Sequence, residues 1–157
     1  MVAYTDSLGF YKNSAGFAAN YTDRVSVIEI DIDFAKIAAA RAAASAAALG
    51  ATDTLVIGTL PKGAYVVASS VTVVRAEGAV ATADIGVAVT HALWGNDVDL
   101  NAAVGTTVGL TTAAYYAAED TDVLLTVNTA ATDAARIKVS LAVVNMGADL
   151  GTIANVT

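Results

Sequence analysis

The single histidine, His91, is the first residue to consider for chemistry, because an imidazole is the usual general base beside a serine or cysteine nucleophile. It lies at the end of an apolar run, shortly before Trp94. One histidine cannot build a histidine-rich metal site, and the chain has no cysteine to act as a thiolate ligand or nucleophile. We therefore expect His91 to be a turn or strand-edge residue rather than part of a catalytic centre.

Three carboxylates occur at alternate positions, at Glu29, Asp31 and Asp33. Residues i and i+2 of a strand lie about 7 Å apart on one face, so these groups could hold a hard cation or act as general acid and base. The isoleucines between them make the same pattern typical of any half-buried strand. We interpret the three acids as the solvated face of such a strand.

The segment 97–101 has the opening spacing of an EF-hand calcium loop, with Asp97, Asp99 and Asn101 at alternate positions. That loop also needs a glycine at position 102 and a bidentate glutamate at position 108, where this chain has Ala102 and Val108. The match is incomplete, and only a looser calcium site stays open for this segment. Phosphate-binding loops of the GxGxxG and GxxxxGK types do not occur in the sequence.

Aromatic residues are the remaining candidates for a binding surface. Trp94, Tyr115 and Tyr116 could form a platform for a sugar ring, although packing in a core or interface is the favoured use of such rings. Residues 1–24 hold five of the nine Phe and Tyr residues, with neither helical nor alternating periodicity. We predict an extended arm over residues 1–24, whose rings lie on its own domain or on a neighbour.

The periodicity of the sequence predicts the elements that position these residues. Residues 25–33 alternate strictly and predict a half-buried strand. The alanine-rich stretch 34–49 predicts one helix, with Asp33 as its N-cap and Gly50 as its C-terminal stop. Beyond Gly50 come short β-rich runs, at 54–60, 65–75, 80–90, 104–116, 122–128 and 136–145.

Turn residues separate these runs, at 60–63, 77–78, 94–97, 119–120 and 132–133. Short strands at this spacing are typical of sandwiches and jelly rolls. We predict an all-β, mainly antiparallel, jelly-roll-like β-sandwich with one short alanine-rich helix. Its organisation would be an N-terminal arm over 1–24 and a single domain over 25–157.

Composition narrows the class of function. The 157 residues fit one domain, which can bury roughly two-thirds of its unfolded surface without a metal or disulfide. No stretch approaches the ~20 apolar residues of a membrane span. The net charge of −7 and the lack of a basic cluster oppose nucleic-acid binding. We therefore expect no membrane or nucleic-acid partner, and no cofactor or metal.

Two further expectations follow from the composition. Hydrophobic residues make up 56% of the chain and charged residues only 15%, so we expect copies of the chain or a partner to cover part of its apolar surface. Residues 1–20 lack the basic cluster and apolar run of a secretory signal, so we expect synthesis in a cytoplasm.

The segment 25–67, VSVIEIDIDFAKIAAARAAASAAALGATDTLVIGTLPKGAYVV, resembles the opening of the head-decoration (capsid cement) proteins of tailed bacteriophages. In that family an IEIDIDFA strand leads into an alanine-rich helix, a strand and a proline-glycine turn. The similarity continues more loosely through 71–86, VTVVRAEGAVATADIG, and 115–121, YYAAEDT, and covers around half of the chain. The fixed order of its parts makes the motif moderately specific.

The resemblance implies a virion protein that is not an enzyme. Such a protein forms homotrimers on the outside of an icosahedral capsid and cements the major capsid protein. This role needs no reactive groups, and it agrees with the oligomer that the composition leads us to expect. The residues predicted to contact the capsid or a sister subunit are Tyr4, Phe10, Tyr11, Phe17, Tyr21, Trp94, Tyr115 and Tyr116.

Two alternatives stay open. A head-fibre or tail-associated module could bind a host glycan or receptor through Trp94 and the tyrosines. A glycosidase could work through Asp31 and Asp33, but two carboxylates at i and i+2 are a weak signal for that chemistry.

Overall fold

The described part of the chain folds into two antiparallel β-sheets and one helix. The computed structural model describes residues 4–5, 11–14, 25–109, 114–129 and 131–145. Its elements are β1 (Tyr4–Thr5), β2 (Tyr11–Ser14), β3 (Val25–Asp33), α1 (Phe34–Ala43), β4 (Thr54–Leu60), β5 (Ala64–Arg75), β6 (Thr82–Val87), β7 (Thr90–Asp99), β8 (Thr107–Gly109), β9 (Tyr115–Tyr116), β10 (Thr121–Val127) and β11 (Arg136–Asn145). The predicted all-β sandwich is confirmed.

The two sheets differ in size. The larger has seven strands in the order β1-β2-β3-β11-β5-β8, and β9 also pairs with β5. The smaller has the order β4-β10-β6-β7. The last described strand, β11, therefore lies at the centre of the larger sheet, between β3 and β5.

Alternation along the strands produces one shared core. Ile30 and Ile32 of β3 lie opposite Val139 and Ile137 of β11, and all four side chains are fully buried. The larger fully buried side chains of the other elements are Phe34, Leu49, Ile57, Leu60, Ile85, Trp94, Leu100 and Leu125. Burial of aliphatic side chains of this size stabilises a fold by about 1.5–3 kcal/mol each. The two sheets are therefore held together by a continuous apolar layer.

Helix α1 is shorter than the predicted helix over 34–49. It begins as predicted at Asp33, whose carboxylate accepts a hydrogen bond from the Ala35 N–H at 3.2 Å. The helix ends early because Ser45 adopts a left-handed conformation, with φ of 59°. Ending there lets Leu49 reach the core, where it is 1% exposed. Burial of Leu49 outweighs the roughly 1–2 kcal/mol cost of the left-handed residue, although alanine favours a longer helix.

Three predicted elements were wrong: the strand runs 80–90 and 104–116 and the turn at 94–97. The run 80–90 is interrupted by a turn at residues 88 and 89, which separates β6 from β7 and leaves Val89 93% exposed. Residues 94–97, predicted as a turn, lie inside β7. Register shifts between β6 and β7, together with the positive φ of 51° at Asp97, accommodate these turn-forming residues within the strand. The run 104–116 begins with a turn at residues 104 and 105 and contains two short strands, β8 and β9; residues 110–113 lie outside the described residues.

Gly86 marks a close approach of two backbones. A Cβ atom at Gly86 would lie 2.5 Å from the carbonyl oxygen of His91 and closer still to that of Thr90. Both oxygens belong to the start of β7, which pairs with β6 at this point. Any side chain at position 86 would therefore push the two strands apart.

Gly86→Ala is expected to destabilise the protein by about 1–3 kcal/mol, because its methyl group would overlap backbone atoms that cannot rotate away. Gly50→Ala is the matched control, since a Cβ atom at Gly50 meets nothing within 4 Å. Urea unfolding of the two variants measures the difference between their free energies of unfolding. Equal stability of Gly86→Ala and the unmodified chain would show that β6 and β7 are not in the described register.

Candidate functional site

The predicted N-terminal arm lies partly within the larger sheet. Tyr4 belongs to β1 and Tyr11 to β2, which pair with each other, and β2 pairs with β3. These pieces of residues 1–24 therefore extend the sheet of their own chain. Phe10, Phe17 and Tyr21 lie outside the described residues. A contact role for the five aromatic residues of the arm stays a prediction.

The three aromatic residues predicted as a platform, Trp94, Tyr115 and Tyr116, do not form a common surface. Trp94 is fully buried in the core, and its ring meets that of Tyr115 edge to face, with centroids 5.7 Å apart. Tyr116 follows on the opposite face of β9 and is 50% exposed. A sugar ring would find no indole surface on this conformation, and only Tyr116 of the three extends well into solvent.

His91 lies on the outer face of the smaller sheet, at the start of β7. Its Nδ1 is 3.3 Å from the Thr126 hydroxyl, which lies 3.1 Å from the Thr54 hydroxyl. The three residues form a hydrogen-bonded row across this face. The side chain of His91 is exposed, as expected of a strand-edge residue.

The three carboxylates of β3 were predicted to lie on a solvated face. In the structure each of them forms an ion pair, so positive and negative charges balance on this face. The pairs and their closest N–O distances are Glu29–Lys138 at 3.5 Å, Asp31–Arg136 at 2.6 Å and Asp33–Arg75 at 2.6 Å. The Asp31–Arg136 pair is bidentate, with a second hydrogen bond of 2.9 Å from the Arg136 Nε. These bonds arise because β11 and β5 place cationic residues beside the acids of β3. The acids are therefore already partnered within the chain.

Asp33 is the most buried of the three acids and joins several elements. Burial favours the neutral carboxyl, but the hydrogen bond and charge of Arg75, with the N–H groups of Lys36 and Ala35, lower the pKa of Asp33 below its usual value. Arg75 also donates from Nε to the carbonyl oxygen of Ala134 at 2.6 Å. The pair thereby fastens the start of α1 to the end of β5 and to the loop before β11.

Glu77 stabilises the same loop from the other side and was missed by the sequence reasoning. It is 8% exposed, and its carboxylate accepts hydrogen bonds from the backbone N–H groups of Asp133, Ala134 and Ala135. The shortest of these bonds, from Ala135, is 2.6 Å. The sequence signal was only a Glu-Gly turn, which does not show that the side chain bends inward.

The outer face of the smaller sheet is acidic. We call it the acidic face and define it by Asp84, Asp97, Asp99 and Asp122. Asp84 and Asp97 accept hydrogen bonds from the same Asn128 amide nitrogen, at 2.6 and 2.9 Å. Asp97 and Asp99 belong to β7 rather than to a calcium-type loop. No group of three or more His, Cys, Asp or Glu side chains within the described residues could hold a metal ion.

The outer face of the larger sheet carries a shallow groove. We call this surface the groove face. The groove is open to solvent, has a volume of about 300 Å³ and crosses β3, β11 and β5. The residues that line the groove are Val27, Ala68, Ser69, Ser70, Ser140 and Ala142. The sequence showed the alternation of each strand, but it did not show that the small residues of three strands lie side by side.

Within the described residues, no helix has the length and hydropathy to cross a membrane.

Arg75→Met is expected to lower the free energy of unfolding at pH 7 by about 1 kcal/mol, because Arg75 is partly exposed and its pair is screened by solvent. The pKa of Asp33 is lower in the folded chain than in the unfolded chain. The ion pair therefore stabilises the fold above about pH 4, and this contribution is lost as the pH falls through the folded pKa.

Urea unfolding at pH 7, 5 and 3 would show the stability difference between the unmodified chain and Arg75→Met decreasing at the lowest pH. Part of the stability difference remains at pH 3, because Arg75 also donates a hydrogen bond to the Ala134 carbonyl oxygen. Lys138→Met removes a more exposed pair and serves as the control, with a change near zero. A difference for Arg75→Met that grows toward pH 3 would contradict the assignment.

The sequence matches no known protein family and no curated protein. Its fold, however, is similar to chains of solved phage capsids. A chain of the capsid asymmetric unit of cyanophage Pam1 aligns with a TM-score of 0.61 at 16% identity, over 84% of this chain and 92% of that chain.

Two further capsid structures contain similar chains. One is the acid-stable capsid of Helicobacter pylori bacteriophage KHP30, with a TM-score of 0.55 and 15% identity over 81% of this chain and 92% of that chain. The other is the capsid of Ralstonia phage GP4, with a TM-score of 0.53 and 18% identity over 80% of this chain and 87% of that chain. The chain therefore shares its fold with proteins found in phage capsids.

Proposed function

We propose that the chain is a structural protein of a phage virion, which decorates and cements the outside of an icosahedral capsid as a homotrimer. The observation that carries the proposal is the shared fold with chains of three phage capsids, since the match covers 87% or more of each of those chains. The order of motifs in residues 25–86 independently resembles the decoration family. The major capsid protein is the partner that this function requires.

The described side chains support a role in contact rather than catalysis. The three acids of β3 are bound to Lys138, Arg136 and Arg75, and Glu77 is bound to the backbone. Groups held in this way stabilise the fold, and a general acid or base would need to face a substrate. A glycosidase acting through Asp31 and Asp33 finds no support in this geometry, and we propose that the chain is not an enzyme.

A cementing role needs contact area and solubility. A stable contact buries on the order of 1,200–2,000 Å² of surface in total, and a β-sandwich offers two broad faces for this purpose. The acidic exterior also discourages adhesion to DNA released from damaged particles. The alternative of a glycan-binding head fibre is weakened by the complete burial of Trp94.

The purified chain is expected to bind capsids of the virus that encodes it, at a fixed ratio to the major capsid protein, and to raise the temperature at which filled capsids rupture. Sedimentation of capsids with increasing amounts of the chain measures the ratio, and release of DNA on heating measures the stabilisation. Gly86→Ala, unfolded by heat before mixing, is the control for non-specific adhesion. Failure of the folded chain to sediment with those capsids would contradict the proposal.

A further inference from the structure

The two outer faces of the sandwich differ in charge. The four strands of the acidic face contain four Asp residues and no Lys or Arg among their described residues. On the groove face, Glu29 is paired with Lys138 and Asp31 with Arg136. Because each copy has a net charge of −7, copies that approach through their acidic faces repel each other. Of the two outer sheet faces, as far as their residues are described, the groove face is the one on which charge is already balanced.

The groove face also has the shape of a contact surface. Val27, Ala142 and Ala68 lie side by side in one row across β3, β11 and β5. In the neighbouring row, Ser140 and Ser70 lie beside each other. These small side chains let another surface approach the sheet closely, while Val27 is left 46% exposed. The small side chains of the floor allow close approach, and the ion pairs at the margin correspond to the polar rim of a protein interface.

Two tyrosines lie on the side of the groove face that is formed by β5 and β9. Val144 lies opposite Tyr65, and Tyr65 lies opposite Tyr116 of β9. Tyr116 is 50% exposed, and tyrosine is enriched at interfaces because its ring is apolar and its hydroxyl can bond water or a partner. The groove face thus has an aliphatic and ion-paired side on β3 and a tyrosine-bearing side on β5 and β9.

We propose that the groove face is the surface through which copies of this chain contact one another. The inference rests on the proposed function, which requires a homotrimer. A closed trimer needs two different contact areas on each copy, because its interfaces are heterologous. The β3 side of one copy meets the tyrosine-bearing side of the next, and the acidic faces point away from one another into solvent.

A matched pair of variants tests this assignment. Val27 is 46% exposed on the groove face, and Val56 is 54% exposed on β4 of the smaller sheet. Val27→Glu and Val56→Glu make the same change of residue and charge at similar exposure on different sheets. Light scattering measures the mass of each variant in solution, and circular dichroism checks that each is folded.

The unmodified chain and Val56→Glu are expected at a multiple of the 15.7 kDa chain mass, and Val27→Glu at the mass of one chain. Ala68→Glu, at an exposed position of the same groove, is expected to behave as Val27→Glu does and replaces it if that variant does not fold. The inference is overturned if the groove variants keep the unmodified mass, or if Val56→Glu dissociates to the same extent.

Capsid binding by the same variants separates this inference from the proposed function. A chain that is monomeric in solution but binds capsids at a fixed ratio would overturn the contact between copies and leave the capsid role intact. Loss of capsid binding in Val27→Glu without a change of mass would assign the groove face to the capsid, and so overturn the inference as well. An assembled chain that dissociates through Val27→Glu but ignores capsids would support the inference and contradict the capsid role.

Discussion

The pairing of β11 with both β3 and β5 is the interaction on which the rest of the structure depends. One row of its side chains, which includes Ile137 and Val139, is fully buried and joins the two halves of the larger sheet to the core. The other row brings Arg136 and Lys138 to the acids of β3. A single strand therefore supplies the central apolar row of this sheet and two of the three cations that pair with the acids of β3.

The start of β11 is the point at which these contacts are secured. Glu77 binds the backbone N–H groups of residues 133–135, and Arg75 binds both Asp33 and the carbonyl oxygen of Ala134. The N–H of Phe34, at the first turn of α1, donates to the carbonyl oxygen of Ala135 at 2.9 Å. Two charged side chains, Glu77 and Arg75, and one helix terminus thus hold the loop from which β11 departs. Because bonds of this kind require their donor or acceptor to be ordered, the junction fixes how β11 enters the sheet.

Much of the fold could be predicted from local patterns. The bounds of β3, β4 and β11 follow from period-two alternation and match the sequence runs 25–33, 54–60 and 136–145. The pattern did not predict which strands are neighbours, and the ion pairs and the groove depend on that register. Local propensity gave the wrong element where tertiary contacts outweigh it. Burial of Leu49 shortens the alanine-rich helix, and burial of Trp94 in the core places residues 94–97 within β7.

The paired acids, the balanced groove face and the acidic face are the features on which the proposed contact role rests. The three acids of β3 and Glu77 are bound by groups of the same chain, so they contribute to stability. The two outer faces differ in charge, and under our proposal the groove face associates with a copy while the acidic face stays solvated. In the proposed function, that asymmetry links the fold to a repeating assembly on a curved shell.

Cryo-electron microscopy of the intact virus particle tests the central claim most directly. The account predicts density for this β-sandwich on the outer surface of the capsid, in groups of three whose groove faces turn toward one another. Particles whose outer shell lacks this density, or in which the chain lies inside the shell or in the tail, would contradict it.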